Sequence, residues 1–208
     1  MSNTMRLFKI GYGYDSHRFL NDEEKKRLKT EHHCDEETDF LSFDKELIIG
    51  GVLLDDKYQR AYGPFKARSD GDVLYHAVVN ALLSALGNKQ TRDIGTVFPN
   101  SDQKNSNRTS ADFVQKAADL VKESSYELVD LKMMLKGRPR VDLAAIEENL
   151  RHFFSFQEIS PDIHLQGTSG EDMDAAGKGL GVEVFAVCFL QHAALNTIVM
   201  EHYARHHC

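Results

Sequence analysis

The chain has 208 residues, enough for one domain with a substantial core or for two small ones. Its hydrophobic fraction, 41%, is that of an ordinary globular protein, and no apolar run approaches the roughly 20 residues a membrane span requires. A formal charge of −7 argues against wholesale nucleic-acid binding, so a phosphorylated ligand would need local cations or a metal. The three cysteines, Cys34, Cys188 and Cys208, are odd in number and widely spaced. That suits reduced thiols better than a disulfide framework. Only a few residues precede the first strand-like segment, which leaves no room for a targeting leader and points to a bacterial-type cytoplasm.

Taken in order, a β pattern opens at Leu7 and runs into Gly11-Tyr12-Gly13-Tyr14. Residues 21–45 are rich in charge and poor in apolar positions, and read as a solvated insertion. Leu47-Ile48-Ile49 reads as a buried strand ending at Gly50-Gly51, with Val52-Leu53-Leu54 beyond the turn. From Asp72, the positions Leu74, Ala77, Val78, Ala81, Leu82 and Ala85 form an apolar stripe at helical spacing, which Gly87 can end. A loop marked by glycine and proline is expected over residues 93–102. Further helices are expected from Ser110 and over Asp142 to Phe154, and strands over Leu128 to Leu135, Ile163 to Gln166 and Val182 to Leu190. The order predicts a single α/β domain of the α+β type, a mixed β-sheet covered on one face by helices, with a short tail after residue 190.

Two segments hold metal-ligand chemistry. If the first strand continues through Asp15-Ser16-His17, the outer two side chains share a face. Downstream, Asp72, His76 and Asn80 follow at four-residue intervals on one helix face, with Asp72 also placed as a helix N-cap. Two histidines and one carboxylate leave a fourth tetrahedral position open, the arrangement of a catalytic zinc, although other transition metals accept the same donors. His32-His33-Cys34 and His206-His207-Cys208 carry ligand-type side chains too, but on no element that would fix their geometry.

Together the segments resemble the 2-C-methyl-D-erythritol 2,4-cyclodiphosphate synthase family. The likeness rests on Gly13-Tyr14-Asp15-Ser16-His17-Arg18-Phe19, Ile49-Gly50-Gly51-Val52 and Ser69-Asp70-Gly71-Asp72-Val73-Leu74-Tyr75-His76-Ala77. It continues through Asp93-Ile94-Gly95, Phe98-Pro99, Thr168-Ser169-Gly170-Glu171 and Gly177-Lys178-Gly179, in that order over residues 7–190. The resemblance implies a phosphorus–oxygen lyase of the non-mevalonate isoprenoid pathway. It would close 4-diphosphocytidyl-2-C-methyl-D-erythritol 2-phosphate into the cyclic diphosphate and release CMP. A homotrimer with active sites shared between neighbours is implied, with no nucleic acid or membrane partner. One zinc per subunit would sit on Asp15, His17 and His76, and a magnesium or manganese ion near Glu171 would bridge the substrate phosphates. Catalytic roles fall to Arg68 and Ser169.

The remaining contacts implied by the family are Ser16 and Ser69 near the metal, then Asp93, Ile94, Gly95, Phe98, Pro99, Asn100, Ser101 and Asp102 around the methylerythritol. Lys136, Gly137, Arg138, Pro139, Arg140, Val141 and Asp142 would line the cytidine pocket. Thr168, Ser169, Gly170 and Glu171 would meet the phosphates, and Ala175 and Lys178 would lie toward a central trimer cavity. Three departures stand out. Arg68 occupies the place of a usual histidine, Lys178 that of an arginine and Ala175 that of an aromatic residue; the last two weigh against binding of isoprenoid diphosphates in the cavity. The insertion at 21–45 is a candidate lid. Two further readings share the metal residues: a zinc phosphohydrolase releasing inorganic phosphate, and a non-catalytic trimer that binds prenyl diphosphates.

Overall fold

The first strand, β1 (Phe8–Arg18), alternates small or polar residues with large apolar ones, and that alternation sets the architecture. Gly11, Gly13, Asp15 and His17 turn inward, whereas Phe8, Ile10, Tyr12 and Tyr14 are exposed on the other face. The structure is a computed structural model describing residues 6–30, 45–67, 69–99, 108–157 and 160–195, with backbone alone over 27–30. After β1 come α1 (Asp22–Thr30), the two-residue strands β2 (Ile48–Ile49) and β3 (Val52–Leu53), α2 (Asp56–Tyr62) and α3 (Val73–Leu86). Then follow α4 (Ile94–Val97), α5 (Ser110–Glu123), β4 (Tyr126–Lys136), α6 (Leu143–Phe153), β5 (Asp162–Thr168) and β6 (Gly181–His192).

The main sheet has strand order β1-β6-β4-β5. β6 is antiparallel to both β1 and β4, while β5 runs parallel to β4 after the α6 crossover, so the sheet is mixed, as the sequence suggested. Helix α3 covers β1 and β6, α5 reaches β4, and α6 lies on β5. One continuous apolar core forms between this helix layer and the inward sheet face. Leu74, Leu82, Leu83, Leu128, Leu131, Ile163 and Leu190 are wholly buried there, each contributing about 2 kcal/mol of hydrophobic stabilisation.

Helix α3 forms as its stripe predicts. Asp72 caps its start, accepting from the amides of Leu74 and Tyr75, and Gly87 in the left-handed conformation closes it. The Asp72 carboxylate also accepts from the amides of Gly50 and Gly51 at 2.8 and 2.7 Å, tying the β2–β3 turn to the helix.

Several expectations need correction. Within the insertion, residues 22–30 form a helix that the sequence reading did not anticipate, because Asn21 and Glu24 form a reciprocal capping box. Residues 93–97 are a capped helical turn, since Asp93 accepts from the amide of Thr96. Strand β6 runs two residues past 190, and α2 was not anticipated. The histidine pairs at 32–33 and 206–207 lie outside the described residues.

Candidate metal centre and substrate site

Backbone contact assembles the centre. A Cβ built on Gly11 would lie 2.0 Å from the carbonyl oxygen of Ala81, and one on Gly13 would lie 2.0 Å from that of Ala77. Neither position has room for a side chain, so β1 presses directly against α3. The next two inward residues of β1, Asp15 and His17, thereby meet His76 of α3.

The donor atoms of Asp15, His17 and His76 all lie within 4.8 Å of one another. Oδ2 of Asp15 is 3.0 Å from Nδ1 of His76 and 3.3 Å from Nδ1 of His17, and its Oδ1 accepts the Ser16 amide at 2.9 Å. Tetrahedral arms of 2.0–2.1 Å place neighbouring ligand atoms about 3.3 Å apart, so this spacing suits one small cation. Nδ1 of His17 is buried and has no hydrogen-bond partner among the described residues, as expected of a lone pair reserved for an ion. Burial pushes the His17 imidazole down to about 4, against the pull of Asp15, which leaves it neutral and able to ligate at pH 7. The donor set of imidazoles and carboxylate therefore fits a divalent metal.

Other expected residues gather nearby. Ser69 is buried beside the centre, its hydroxyl 3.2 Å from Nε2 of His76. Asn80, one turn beyond His76, donates to the Tyr14 carbonyl at 3.3 Å and accepts the Ile94 amide at 3.0 Å. It thereby fastens the Asp93-Ile94-Gly95 turn to the helix face that carries His76. Phe98 is buried against Phe113, whose ring in turn lies 5.8 Å from that of His76, and Pro99 follows exposed. Arg68, Asn100, Ser101 and Asp102 lie outside the described residues. A cavity of about 670 Å³ opens on the other side of His17, walled by Arg18, Phe19, Tyr62, Ala175 and Glu183, with the first turn of α1 along its edge.

The segment after β4 meets the segment after β5. Lys136 forms ion pairs with Asp174 and, at 3.7 Å, with Glu183; Arg138 pairs with Asp172 and donates to the Gly177 carbonyl at 2.6 Å. These two cations hold the glycine-rich loop. Gly137 donates to the Thr168 carbonyl at 3.0 Å, Pro139 is buried, and Asp142 caps α6. Arg140, Val141 and Asp142 border a second cavity of about 330 Å³ facing Tyr58. In the loop, Gly170, Glu171 and Asp172 take φ of 68°, 46° and 62° in succession. Left-handed backbone costs about 1–2 kcal/mol at each of the two acidic residues, so the Arg138 and Lys136 pairs restrain a strained segment. The hydroxyls of Thr168 and Ser169 accept amides of their own loop at 3.4 Å, and Ala175 and Lys178 are exposed.

The two groups of residues do not meet within one chain. Ser16, Glu183, Lys136 and Thr168 form a single row across the sheet, one from each strand. Three strand spacings separate the ends of that row, about 14 Å. The metal triad thus sits at one edge of the sheet and the Thr168–Glu171 loop at the other.

Ser110 and Asp70, read from the sequence as a helix start and as part of a motif, were given no place in the site. Ser110 is fully buried, its hydroxyl 3.0 Å from Nε2 of His76 and in a short hydrogen bond to Asp70. The only signal was a small polar residue at a helix start, which reads equally well as capping.

The YgbB family model matches residues 8–191. A 2-C-methyl-D-erythritol 2,4-cyclodiphosphate synthase of Rhodopirellula baltica is 33% identical over 192 residues, spanning 88% of this chain and 93% of its own length. The apicoplast protein of the same name from Plasmodium falciparum (isolate 3D7) is 31% identical over 186 residues, 86% of this chain and 70% of the relative. A solved 2C-methyl-D-erythritol-2,4-cyclodiphosphate synthase in its CDP-bound form superposes with a TM-score of 0.60 at 25% identity, covering 88% of this chain and all of that one.

Proposed function

Because this chain belongs to the YgbB family, we propose that Asp15, His17 and His76 hold one divalent metal, zinc, in the service of the reaction its relatives are named for. That reaction converts 4-diphosphocytidyl-2-C-methyl-D-erythritol 2-phosphate into 2-C-methyl-D-erythritol 2,4-cyclodiphosphate and CMP, and the chain is a phosphorus–oxygen lyase of isoprenoid biosynthesis. The observation that carries the metal assignment is the meeting of three donors from β1 and α3 with an imidazole nitrogen that has no hydrogen-bond partner among the described residues.

The 2-phosphate of such a substrate is already ionised at neutral pH, so the chain needs no strong base; it needs to bend the substrate, align it and offset charge. When bound, the zinc supplies Lewis-acid polarisation of a phosphoryl oxygen. Asp93 and the Gly95 backbone, anchored through Asn80, would receive the methylerythritol hydroxyls close to His76. Ser169 and Thr168 would turn their hydroxyls to the phosphates, and Glu171 would help hold magnesium or manganese there. Arg68 would grip phosphate in place of a histidine. Lys136 to Asp142 would form the cytidine pocket, Lys136 and Arg138 acting through the loop they restrain.

A homotrimer follows in this reading from two features. The metal triad and the phosphate loop stand at opposite sheet edges, so a neighbouring chain is needed to bring a second edge to the first. The uncovered sheet face carries Ile10, Tyr12, Tyr14, Phe185 and Val187, an apolar surface suited to another copy. A cytoplasmic setting is part of the same proposal.

The test is to incubate the purified protein with the CDP-linked substrate, zinc and magnesium. We expect CMP together with the cyclic diphosphate, and loss of at least 100-fold in turnover for Asp15→Asn and His76→Ala, with their metal content falling in parallel. Inorganic phosphate as the product would instead establish a hydrolase, and prenyl diphosphate binding without turnover a binding protein.

A further inference from the structure

Between α2 and α3 the chain passes the metal centre as irregular backbone. Its first part is fastened to the end of β1. Phe65 pairs with Phe19, the Lys66 amide donates to the Arg18 carbonyl at 2.9 Å, and the Phe65 ring lies 5.7 Å from that of His17. Its last part is fastened to α3 by the Asp72 cap. Ala67 and Ser69 lie between these anchors in neither helix nor strand, so their carbonyls have no ladder to join. Lys45 serves them instead. Its Nζ donates to the Ala67 carbonyl at 2.9 Å and to the Ser69 carbonyl at 2.7 Å. An ammonium places several donors at one point, so two oxygens that would repel each other are drawn to a common centre. The Lys45 amine is partly buried, and the charge of Asp70 favours its protonated form against that burial. Ser69 is itself buried, its hydroxyl 3.2 Å from Nε2 of His76 and accepting the Gly71 amide at 3.2 Å.

We propose that Lys45 is a positioning residue whose ammonium clamps the Ala67 and Ser69 carbonyls and thereby sets the Ser69 side chain against the metal centre. Hydrogen bonds from a charged donor are stronger than neutral ones, and here two of them converge on three residues of chain. Without the ammonium both carbonyls must find water, and the segment between the β1 and α3 anchors moves to let them. A displacement of about 1 Å in a positioning group can cost roughly 100-fold in rate. The charged segment 21–45 supplies a second tie to the same stretch, since Glu24 accepts from Lys66 at 3.2 Å. It therefore serves the site from both ends, through Glu24 at Lys66 and through Lys45 at Ala67 and Ser69. The effect on turnover rests on the reaction proposed above; the clamp itself is a property of the metal-free chain.

The experiment has two readouts on wild type, Lys45→Met and Lys45→Arg. Amide hydrogen exchange of the metal-free proteins reads the clamp at Gly71, whose amide donates to the Ser69 hydroxyl, with Val78 in the middle of α3 reporting global opening. Steady-state kinetics with the CDP-linked substrate, zinc and magnesium separates kcat from KM. In Lys45→Met, Gly71 should exchange at least tenfold faster while Val78 stays within about twofold of wild type. Its kcat should fall at least tenfold with KM changed by less than about threefold. Lys45→Arg, whose guanidinium can donate to the same two carbonyls, should hold both readouts within about threefold of wild type. The proposal is overturned if the methionine variant leaves Gly71 exchange or kcat within twofold of wild type. A methionine variant that fails to fold, or in which Gly71 and Val78 accelerate together, assigns Lys45 to overall stability and overturns it as well. Should wild type turn over no substrate, the reaction reading falls alone, and Gly71 exchange decides the clamp.

Discussion

Gly13 shows how a residue without a side chain can govern chemistry two positions away. The backbone contact it permits with Ala77 brings His76 within reach of Asp15. Gly13→Ala would force β1 away from α3, since the obstructing atoms are main-chain oxygen and nitrogen that cannot rotate aside. We expect at least about 3 kcal/mol of destabilisation in urea unfolding, together with a loss of zinc affinity. The three clustered donors were legible in the sequence because strand alternation and helical spacing are local rules: Asp15 with His17, and the polar face bearing His76 and Asn80. Ser110 was not legible, because it meets His76 across 34 residues of chain and no periodicity links the two.

At the scale of elements, α1 is the clearest case of a signal overlooked. Charge density suggested a solvated stretch, yet Asn21-x-x-Glu24 is a capping box, and Glu24 does more than cap. It accepts two bonds from the Arg18 guanidinium at 2.7 and 2.5 Å and one from Lys66 at 3.2 Å, pinning α1 to the end of β1. Those bonds, Arg18 foremost, hold the Glu24 carboxyl down at about 2, below its ordinary 4.5. A carboxylate with a depressed folded-state value stabilises the fold fully above its ordinary value, and the contribution fades as pH falls through the folded one. Glu24→Gln should therefore be less stable than wild type by about 1 kcal/mol at neutral pH, the size expected for a partly exposed pair. The gap should close between pH 4.5 and 2, as read from paired thermal melts. The α4 turn was missed for a related reason: Gly95 and Pro99 suggested a plain loop, but Asp93 caps the turn and Asn80 anchors it, and only the first of those signals is local.

For the molecule as a whole, the sheet has one face covered by helices and one left bare. That division was readable in β1, where Phe8, Ile10, Tyr12 and Tyr14 alternate with inward residues. The strand order was not, because pairing β6 between β1 and β4 depends on contacts between segments more than forty residues apart. Tyr12, 77% exposed in the single chain, makes the assembly testable. Tyr12→Asp should leave the circular dichroism of the chain unchanged, reduce its sedimenting mass from three chains to one, and lower turnover at least tenfold. A variant that still sediments as wild type would show that this face is not where copies meet. The bare face also separates two properties that usually travel together. With the core complete inside each chain, a reaction centre split between chains as proposed would make correct folding indifferent to dilution while turnover obeys mass action. Specific activity should therefore decline as enzyme stocks are thinned, recover on reconcentration, and do both without any loss of native structure.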